Sequence, residues 1–198
     1  MTDKSSRKKA RIVKTVFKML SDGGNYKLTS REIAKKARVS LPAINYYFGS
    51  KSNLIRQAEQ VYIDEVRKST GMVIPPGKDP RKALFEHCIK STAFATANPG
   101  VQRRLFINFL CDKDITPEII EMNKENAIRV KNMIGKLVKD KEKIVSIKSV
   151  IFGAALVNFQ MFKETKSYVG AIDLRDPKYE KEYYRVLIDC LAHPYRKG

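Results

Sequence analysis

The chain has 198 residues, which is enough for one ample hydrophobic core or two modest ones. Its formal net charge of +18 predicts a polyanionic partner, either a nucleic acid or an anionic membrane surface. Residues 1–51 hold +10 of that charge, from 13 Lys and Arg against 3 Asp and Glu, which favours a polyanion-binding head over a uniformly basic carrier protein.

Three features predict a cytoplasmic protein with no membrane partner. Residues 1–9 lack the apolar segment of a signal peptide. The longest apolar run, residues 151–162, is interrupted by polar residues and is expected to be too short to cross a bilayer. Cys88, Cys111 and Cys190 are odd in number and lack the spacing of metal ligands, which suits a reducing compartment and predicts no metal site.

The first predicted element is a helix over residues 7–21, ended by Asp22 and two glycines. Its apolar residues recur at the spacing of one helical face: Ile12, Val13, Val16, Phe17 and Leu20. A basic arm precedes this stripe and consists of Lys4, Arg7, Lys8, Lys9 and Arg11. Such a run is either a solvated tail or an arm that lies along DNA phosphates or enters the minor groove, and the sequence leaves both open.

Residues 28–54 predict two short helices joined by a tight turn, which is a helix-turn-helix. Thr29 and Glu32 fit the capping box that starts the first of these helices. The turn falls at Arg38, and Ser40 is then expected to cap the second helix. The apolar residues that pack the two helices together are Ile33, Ala34, Ala37, Ile44 and Phe48. The outer face of the second helix is left free to enter a DNA major groove.

This stretch resembles the TetR/AcrR family of transcription regulators over about the first quarter of the chain. The residues that match the family signature at its spacing are Ile33, Ala34, Ala37, Val39, Ser40, Ile44, Tyr47, Phe48, Ser50, Lys51 and Leu54. Three positions differ, with Arg38 in place of glycine, Asn45 in place of tyrosine and Ser52 in place of glutamate. If the turn requires a positive φ, Arg38 carries a strain of about 1 kcal/mol that glycine would avoid.

The resemblance also implies which residues contact DNA. Residues 41–43 lie where the family approaches base edges, and Tyr47 and Lys51 lie where it holds phosphates. Asn45 has the chemistry to pair with adenine, and Arg31 has the chemistry to hold a phosphate. The full set of expected DNA-contacting residues is Arg31, Ser40, Leu41, Pro42, Ala43, Asn45, Tyr46, Tyr47 and Lys51. For either tyrosine, packing between the helices is the alternative.

Residues 52–198 are predicted to form a helical ligand-binding and dimerisation body. Ser50 is expected to cap a helix that continues to Ser69, and residues 71–80 are expected to form a loop because they are rich in proline and glycine. Helix starts are predicted where a capping residue precedes proline, at Asp79-Pro80, Thr116-Pro117 and Asp176-Pro177. With no period-two alternation, the fold class is all-α, with about nine helices and a three-helix DNA-binding head in residues 1–51.

The resemblance implies two roles for the body, because TetR-like proteins enclose an inducer among their middle body helices and dimerise through their last two. The candidate pocket residues are Phe85, Phe106, Phe109, Met122, Phe152 and Phe159, each with packing in a core as the alternative. The dimer helices would span residues 144–164 and 177–192.

No catalytic or cofactor site is apparent, so we predict that the protein is not an enzyme and uses no cofactor. The adjacent His87 and Cys88 look like a metal or nucleophile pair, but consecutive helical residues point about 100° apart and nothing nearby completes a ligand set. We expect a core Cys88 beside an exposed or hydrogen-bonded His87.

Taken together, these features predict a homodimeric repressor that is released from a palindromic double-stranded DNA operator when an unidentified small apolar inducer binds. The alternative is an architectural DNA-binding protein that tolerates many sequences and whose body only dimerises. A third class, an enzyme that carries an incidental helical motif, lacks the necessary chemistry.

Overall fold

The computed structural model describes residues 3–22, 28–69, 77–110, 116–163 and 173–195. Every regular element in those ranges is an α-helix, which confirms the predicted all-α fold and the count of about nine helices. In chain order they are α1 Asp3–Ser21, α2 Ser30–Ala37, α3 Leu41–Phe48, α4 Lys51–Ser69, α5 Pro80–Ala97, α6 Pro99–Leu110, α7 Pro117–Leu137, α8 Glu142–Phe162 and α9 Pro177–Ala192.

The chain divides into two compact units. The first comprises Met1–Lys68 and Ala97–Ile120, and so contains α1 to α4 and α6. The second comprises Ser69–Thr96 and Glu121–Gly198, and so contains α5, most of α7, α8 and α9. The DNA-binding head expected in residues 1–51 falls wholly within the first unit.

Helix α1 begins at Asp3, so the basic residues that the sequence placed in an arm before the first helix lie inside that helix. The prediction of an arm was wrong because Lys, Arg and Ala are strong helix formers, and the helix therefore continues upstream of its apolar stripe. The stripe itself is confirmed, since Ile12, Val16 and Leu20 are buried. Helix α1 packs against α2 and α6, and α2 packs against α3.

The predicted helix starts at proline are confirmed for α5, α7 and α9. At α5, the Arg81 N–H donates to Asp79 Oδ1 at 3.1 Å, and at α9 the Lys178 N–H donates to Asp176 Oδ1 at 2.8 Å. Each bond satisfies an amide that has no acceptor within its own helix. Most of the loop expected at residues 71–80 lies outside the described residues.

The core of the second unit is built by α5, α7, α8 and α9. The Phe159 ring lies 5.0 Å from the Tyr184 ring between centroids, and the Tyr184 hydroxyl is 2.5 Å from Thr92 Oγ1. The hydrogen bond satisfies two buried polar groups and so links α5 to α9. The buried members of this core are Ala83, Leu84, Cys88, Val130, Met133, Ile134, Val138, Val145, Phe152, Leu156, Phe159, Tyr184, Ile188 and Leu191.

Two lysines, the buried Lys148 and the partly buried Lys163, join α8 and the residue after it to the two ends of α9. Lys148 Nζ lies 2.6 Å from Asp140 Oδ2 and also donates to two main-chain carbonyl oxygens at the end of α9, at 2.7 and 2.6 Å. Just after α8, Lys163 Nζ donates to Glu180 Oε2 in the first turn of α9 at 2.6 Å. Because the earlier lysine holds the end of α9 and the later one holds its start, α8 and α9 run antiparallel.

His87 and Cys88 lie in the same core. Cys88 is fully buried as predicted, and burial raises the pKa of its thiol to about 12, so it stays protonated and unreactive. Of the two alternatives expected for His87, the exposed one was wrong. The side chain is buried, its Nδ1 has no hydrogen-bond partner among the described residues, and its ring stacks on Phe152 with centroids 6.4 Å apart. Burial lowers the pKa of His87 to about 4, so the ring is neutral at neutral pH.

Helix α8 is longer than the apolar run that the sequence suggested, because it begins at Glu142. By length and composition alone the whole helix could cross a membrane, although the apolar run of residues 151–162 within it is much shorter. A core helix of a soluble protein meets the same criteria, and one face of α8 is buried in the second unit through Val145, Phe152 and Phe159.

Candidate nucleic-acid interface

The start of α2 is fixed by a complete capping box, as the sequence predicted. Thr29 Oγ1 accepts the Glu32 N–H at 3.2 Å, while the Thr29 N–H donates back to Glu32 Oε2 at 2.7 Å. The hydrogen bond from the Thr29 N–H, together with one from its hydroxyl, lowers the pKa of the Glu32 carboxyl. This box sets the first turn of α2, where Arg31 is exposed to solvent.

The turn between α2 and α3 requires a left-handed residue, and Arg38 supplies it at φ 52° and ψ 52°. The Arg38 N–H donates to the Lys35 carbonyl oxygen at 3.2 Å, and the Val39 N–H donates to the Ala34 carbonyl oxygen at 3.0 Å. These bonds satisfy two carbonyl groups at the end of α2. The condition for strain at Arg38 is therefore met, because an L residue other than Gly, Asn or Asp is disfavoured in this conformation.

Helix α3 is anchored by one face and exposed on the other. Ile44 and Phe48 are buried as predicted, with exposed fractions of 0% and 3%. Leu41, Pro42 and Asn45 are exposed, and the remaining expected contacts Ala43 and Tyr47 are half-buried. The buried face therefore anchors this eight-residue helix, and the opposite face stays open to a ligand.

Ser40 occupies the position before α3 in an extended conformation, but its side chain makes no capping hydrogen bond. The expectation that its hydroxyl caps the helix was wrong in this respect. The main chain closes the first turn instead, through the Ala43 N–H that donates to the Ser40 carbonyl oxygen at 3.1 Å. Because Ser40 is exposed and its hydroxyl has no capping role, the hydroxyl is available to an external acceptor such as a phosphate.

The two tyrosines of α3 have different surroundings. Tyr46 is 81% exposed, which rules out packing between the helices as its role. Tyr47 is half-buried and meets the Tyr46 ring edge-on, with centroids 5.1 Å apart. In addition, Lys8 Nζ lies 5.7 Å from the Tyr47 ring centroid, within the range of a cation–π contact.

The junction from α3 to α4 is also fixed by local hydrogen bonds. The Asn53 N–H donates to Ser50 Oγ at 3.1 Å, which confirms the predicted cap of α4, and Asn53 Nδ2 donates to the Phe48 carbonyl oxygen at 2.8 Å. The second bond was not predicted, since asparagine at this position has no sequence signature. Lys51, the first residue of α4, is exposed close to the end of α3 in the sequence.

These residues form a basic, largely exposed surface on a helix-turn-helix. A model of bacterial regulatory proteins of the tetR family matches residues 12–58, which span the end of α1 to the first half of α4. Over these residues the chain therefore matches the DNA-binding domain of the tetR family. Members of the TetR family are DNA-binding transcription regulators and not enzymes.

The whole fold is similar to that of solved TetR-type structures. A tetR-family transcriptional regulator from Streptomyces coelicolor superposes with a TM-score of 0.67 at 12% identity, covering 94% of this chain and 79% of that one. BioQ with its natural double-stranded DNA operator has a TM-score of 0.62 at 15% identity, with 93% and 97% covered. A TetR variant from Acinetobacter baumannii AYE in complex with minocycline has a TM-score of 0.58 at 15% identity, with 92% and 93% covered. No curated protein matches the sequence of this chain.

The residues predicted to line an inducer pocket are distributed over both units. Phe152 and Phe159 belong to the buried core of the second unit, and Phe85 packs against that core. Met122 is buried outside that cluster, and Phe106 is half-buried in the first unit. The side chain of Phe109 lies outside the described part of the structure.

Sequence reasoning missed the two contacts that α1 makes with α3. Besides Lys8 over Tyr47, Lys9 Nζ lies 5.6 Å from the centroid of the Phe48 ring. The signal was present in the sequence, because extending the helical spacing upstream from Ile12 and Val13 places residues 8 and 9 one turn earlier on the inner side of α1. The prediction of a basic arm considered only the charge of these lysines.

Proposed function

We propose that this protein is a cytoplasmic homodimeric repressor that binds a palindromic double-stranded DNA operator through α3 and is released by a small apolar ligand. The observation that supports it most directly is the exposed outer face of α3 on a TetR-family head. The head would correspond to residues 1–51 and the ligand-binding and dimerisation body to residues 52–198. No catalytic role, metal, cofactor or membrane partner is part of the proposal.

Sequence readout would come from the exposed first turns of α3. Leu41 and Pro42 have only apolar groups to offer, which suits contact with thymine methyl groups. Asn45 can hydrogen-bond an adenine edge through its amide. Around this face, Arg31 and Lys51 are exposed and suited to hold phosphates, as are the hydroxyls of Ser40, Tyr46 and Tyr47.

The proposal of a homodimer rests on a second apolar face of α8. On the side opposite its buried face, α8 exposes apolar residues at helical spacing: Ile147, Val150, Ile151, Ala154 and Val157. Val150 is 72% exposed. A continuous exposed apolar stripe of this kind is costly in water and is typical of a protein–protein interface. A second copy of the chain would cover it, and binding to successive major grooves would require the two α3 helices of the dimer to lie about 34 Å apart.

The ligand part of the proposal rests on the aromatic and Met content of the body and on the family of the head. One TetR-type structure of the same fold holds minocycline, which shows that this fold accommodates a small molecule in that protein. To act as a release signal, a ligand must bind the DNA-incompetent state more tightly by several kcal/mol. Phe85, Phe106, Phe109, Met122, Phe152 and Phe159 stay the candidate contacts.

Operator selection tests the proposal against an architectural role. The full chain is incubated with a random pool of duplexes, and bound DNA is amplified and sequenced over several rounds. A repressor enriches a palindrome with half-sites about one turn apart, whereas an architectural protein enriches none. Binding to the enriched duplex should fall about 10³- to 10⁵-fold between about 50 and 200 mM salt if six to ten phosphates are neutralised.

Two variants separate base readout from phosphate contact. Asn45→Ala should relax the base preference at one position in each half-site, at a cost of about 1–3 kcal/mol. Lys51→Ala should weaken binding to all duplexes alike. If Asn45→Ala leaves every position of the selected motif unchanged, its assignment to base readout is wrong.

The ligand is tested by thermal stability and linkage. Compounds that raise the melting temperature of the purified protein are tested for their effect on operator affinity. Because coupling is reciprocal, a ligand that binds the DNA-free state must lower operator affinity by the same factor. Hits that stabilise the protein but leave operator affinity unchanged would contradict release.

A further inference from the structure

The first half of α1 carries a basic stripe beside the recognition helix. Lys4, Lys8 and Arg11 are spaced by four and then three residues, so they share one face of the helix, and all three are exposed. Lys8 is the member of this stripe that contacts α3, with its Nζ 5.7 Å from the Tyr47 ring centroid. The neighbouring Lys9 Nζ lies 5.6 Å from the centroid of the Phe48 ring, so this part of α1 lies next to the end of α3.

We propose that this stripe is a second phosphate-binding surface, which holds the DNA strand that borders the major groove entered by α3. The proposal rests on the proposed function, because it requires α3 to lie in a major groove. The groove is about 12 Å wide and a helix with its side chains is about 10–12 Å across, so the sugar-phosphate strands lie against the flanks of the helix. A cation fixed beside a flank residue of α3 therefore faces a phosphate strand.

Tyr47 acts as a positioning residue for Lys8. A lysine side chain on a helix surface normally samples many rotamers, and ordering it on DNA costs conformational entropy. The Tyr47 ring attracts the ammonium group through its π face and so keeps it next to α3 before DNA arrives. The ammonium also stays accessible, since Lys8 is exposed.

The basic residues of α1 have few acidic side chains to pair with in the same helix. This composition favours an external polyanion as their partner. Residues 3–21 contain seven Lys and Arg and only one acidic residue, Asp3 at the first position. Phosphate contacts carry no base information, so this stripe would add affinity and fix the register of the head without changing which operator is chosen.

The test compares Lys8→Gln with Lys14→Gln as a matched control. Lys14 is an exposed lysine of the same helix, six residues on and so about 120° around the helix axis from Lys8. Affinity is measured by fluorescence anisotropy from low to high salt on two duplexes of about 30 base pairs, a length that spans two half-sites. One is the selected operator and the other has a mixed sequence. Circular dichroism melting checks that each variant is folded.

Lys8→Gln should lower the slope of log affinity against log salt by about 0.9 per bound protomer, equally on both duplexes, while Lys14→Gln leaves it unchanged. Lys8→Arg, which keeps the charge and stacks on a ring, should restore the slope. Equal slopes for Lys8→Gln, Lys14→Gln and the unmodified protein would overturn this inference without affecting the proposed function. A decrease in slope that is confined to the operator would do the same. If the unmodified protein binds neither duplex, the proposed function itself fails.

Discussion

The recognition helix α3 and the body helix α8 are both amphipathic, but they are held in different ways. Helix α3 has eight residues, one buried apolar face and local hydrogen bonds at its ends. Helix α8 has twenty-one residues and two apolar faces, one in the core and one exposed. Lysines on and just after α8 bind residues of α9 or next to it, which are distant in sequence.

In the proposed function, this difference follows from what each helix offers to its partner. A short helix that reads DNA needs a rigid anchor and a polar rim, and capping bonds within a few residues supply the rigidity. A long helix that offers apolar area to another protein cannot use that area for its own packing. Its orientation relative to α9 must then be fixed from the other side, which is where Lys148 and Lys163 lie.

Placing a charge on the exposed face of α8 should have the largest effect. Val150→Glu introduces a carboxylate that would have to be desolvated in a dimer, so we expect a monomer at micromolar concentration in sedimentation velocity experiments. Operator affinity should fall at least about 100-fold, because the two heads no longer bind as one linked unit. Asn132→Glu, at an exposed neutral residue of α7, adds the same charge elsewhere and should leave a dimer. A dimeric Val150→Glu protein would rule out this face as the interface.

Removing the buried lysine of α8 should be the next largest change. Lys148→Met keeps much of the side-chain volume but leaves two carbonyl oxygens of α9 without their charged donor, so the free energy of unfolding should fall by about 3 kcal/mol. Lys143→Met, at an exposed position of the same helix, should change it by less than about 0.5 kcal/mol. Urea denaturation measures both. Equal midpoints for the two variants would mean that Lys148 does not hold α9.

The same lysine affects the dependence of stability on pH. The hydrogen bond from Lys148 is the main cause that lowers the pKa of the Asp140 carboxyl below its ordinary value of 3.8. A carboxyl with a lowered folded-state pKa stabilises the fold above the ordinary value and loses that contribution as the pH falls through the lowered one. Lys148→Met should therefore flatten the acid limb of the stability curve.

His87 should give a smaller effect, in a different pH window. Its pKa is about 4 in the fold and 6.5 in the unfolded chain, so the unfolded state binds more protons between those values and stability falls as the pH is lowered. Between about pH 7 and pH 5 the unmodified protein should lose about 2 kcal/mol more than His87→Leu. Urea titrations measure this difference. An unchanged pH profile in His87→Leu would show that the ring titrates normally.

What the sequence predicts well in this protein is local. The Thr29–Glu32 capping box and the Asp176-Pro177 helix start each depend on residues within four positions of each other, so their spacing alone identifies them. The outward face of α3 was predicted for the same reason. The family motif then added the meaning of that face.

What the sequence predicts poorly depends on distant partners or on propensity. Lys148 binds residues at 140, 191 and 193, and nothing near it in the sequence distinguishes it from the exposed Lys143. The buried state of His87 depends on Phe152, far along the chain. The first turns of α1 were missed because they contain no apolar stripe, although their Lys, Arg and Ala residues favour helix.

The smallest predicted effect concerns the turn of the head, where the chain has Arg38 and not the glycine of the family pattern. An L residue in the left-handed region, such as Arg38, carries a strain of about 1–2 kcal/mol. Glycine removes this strain, but its greater freedom in the unfolded chain destabilises the fold by about 0.5–1 kcal/mol. Arg38→Gly should therefore stabilise the protein by about 0.5 kcal/mol, and Arg38→Ala, which keeps the Cβ atom, should not. Urea denaturation of the two variants measures this difference.

Because strain that persists at a turn is often retained for function, DNA binding of the same two Arg38 variants is informative. If the slope of log affinity against log salt falls equally in both variants, the Arg38 guanidinium contacts a phosphate, and this contact accounts for the arginine at a strained position. Unchanged slopes would mean that the strain at Arg38 does not serve DNA binding.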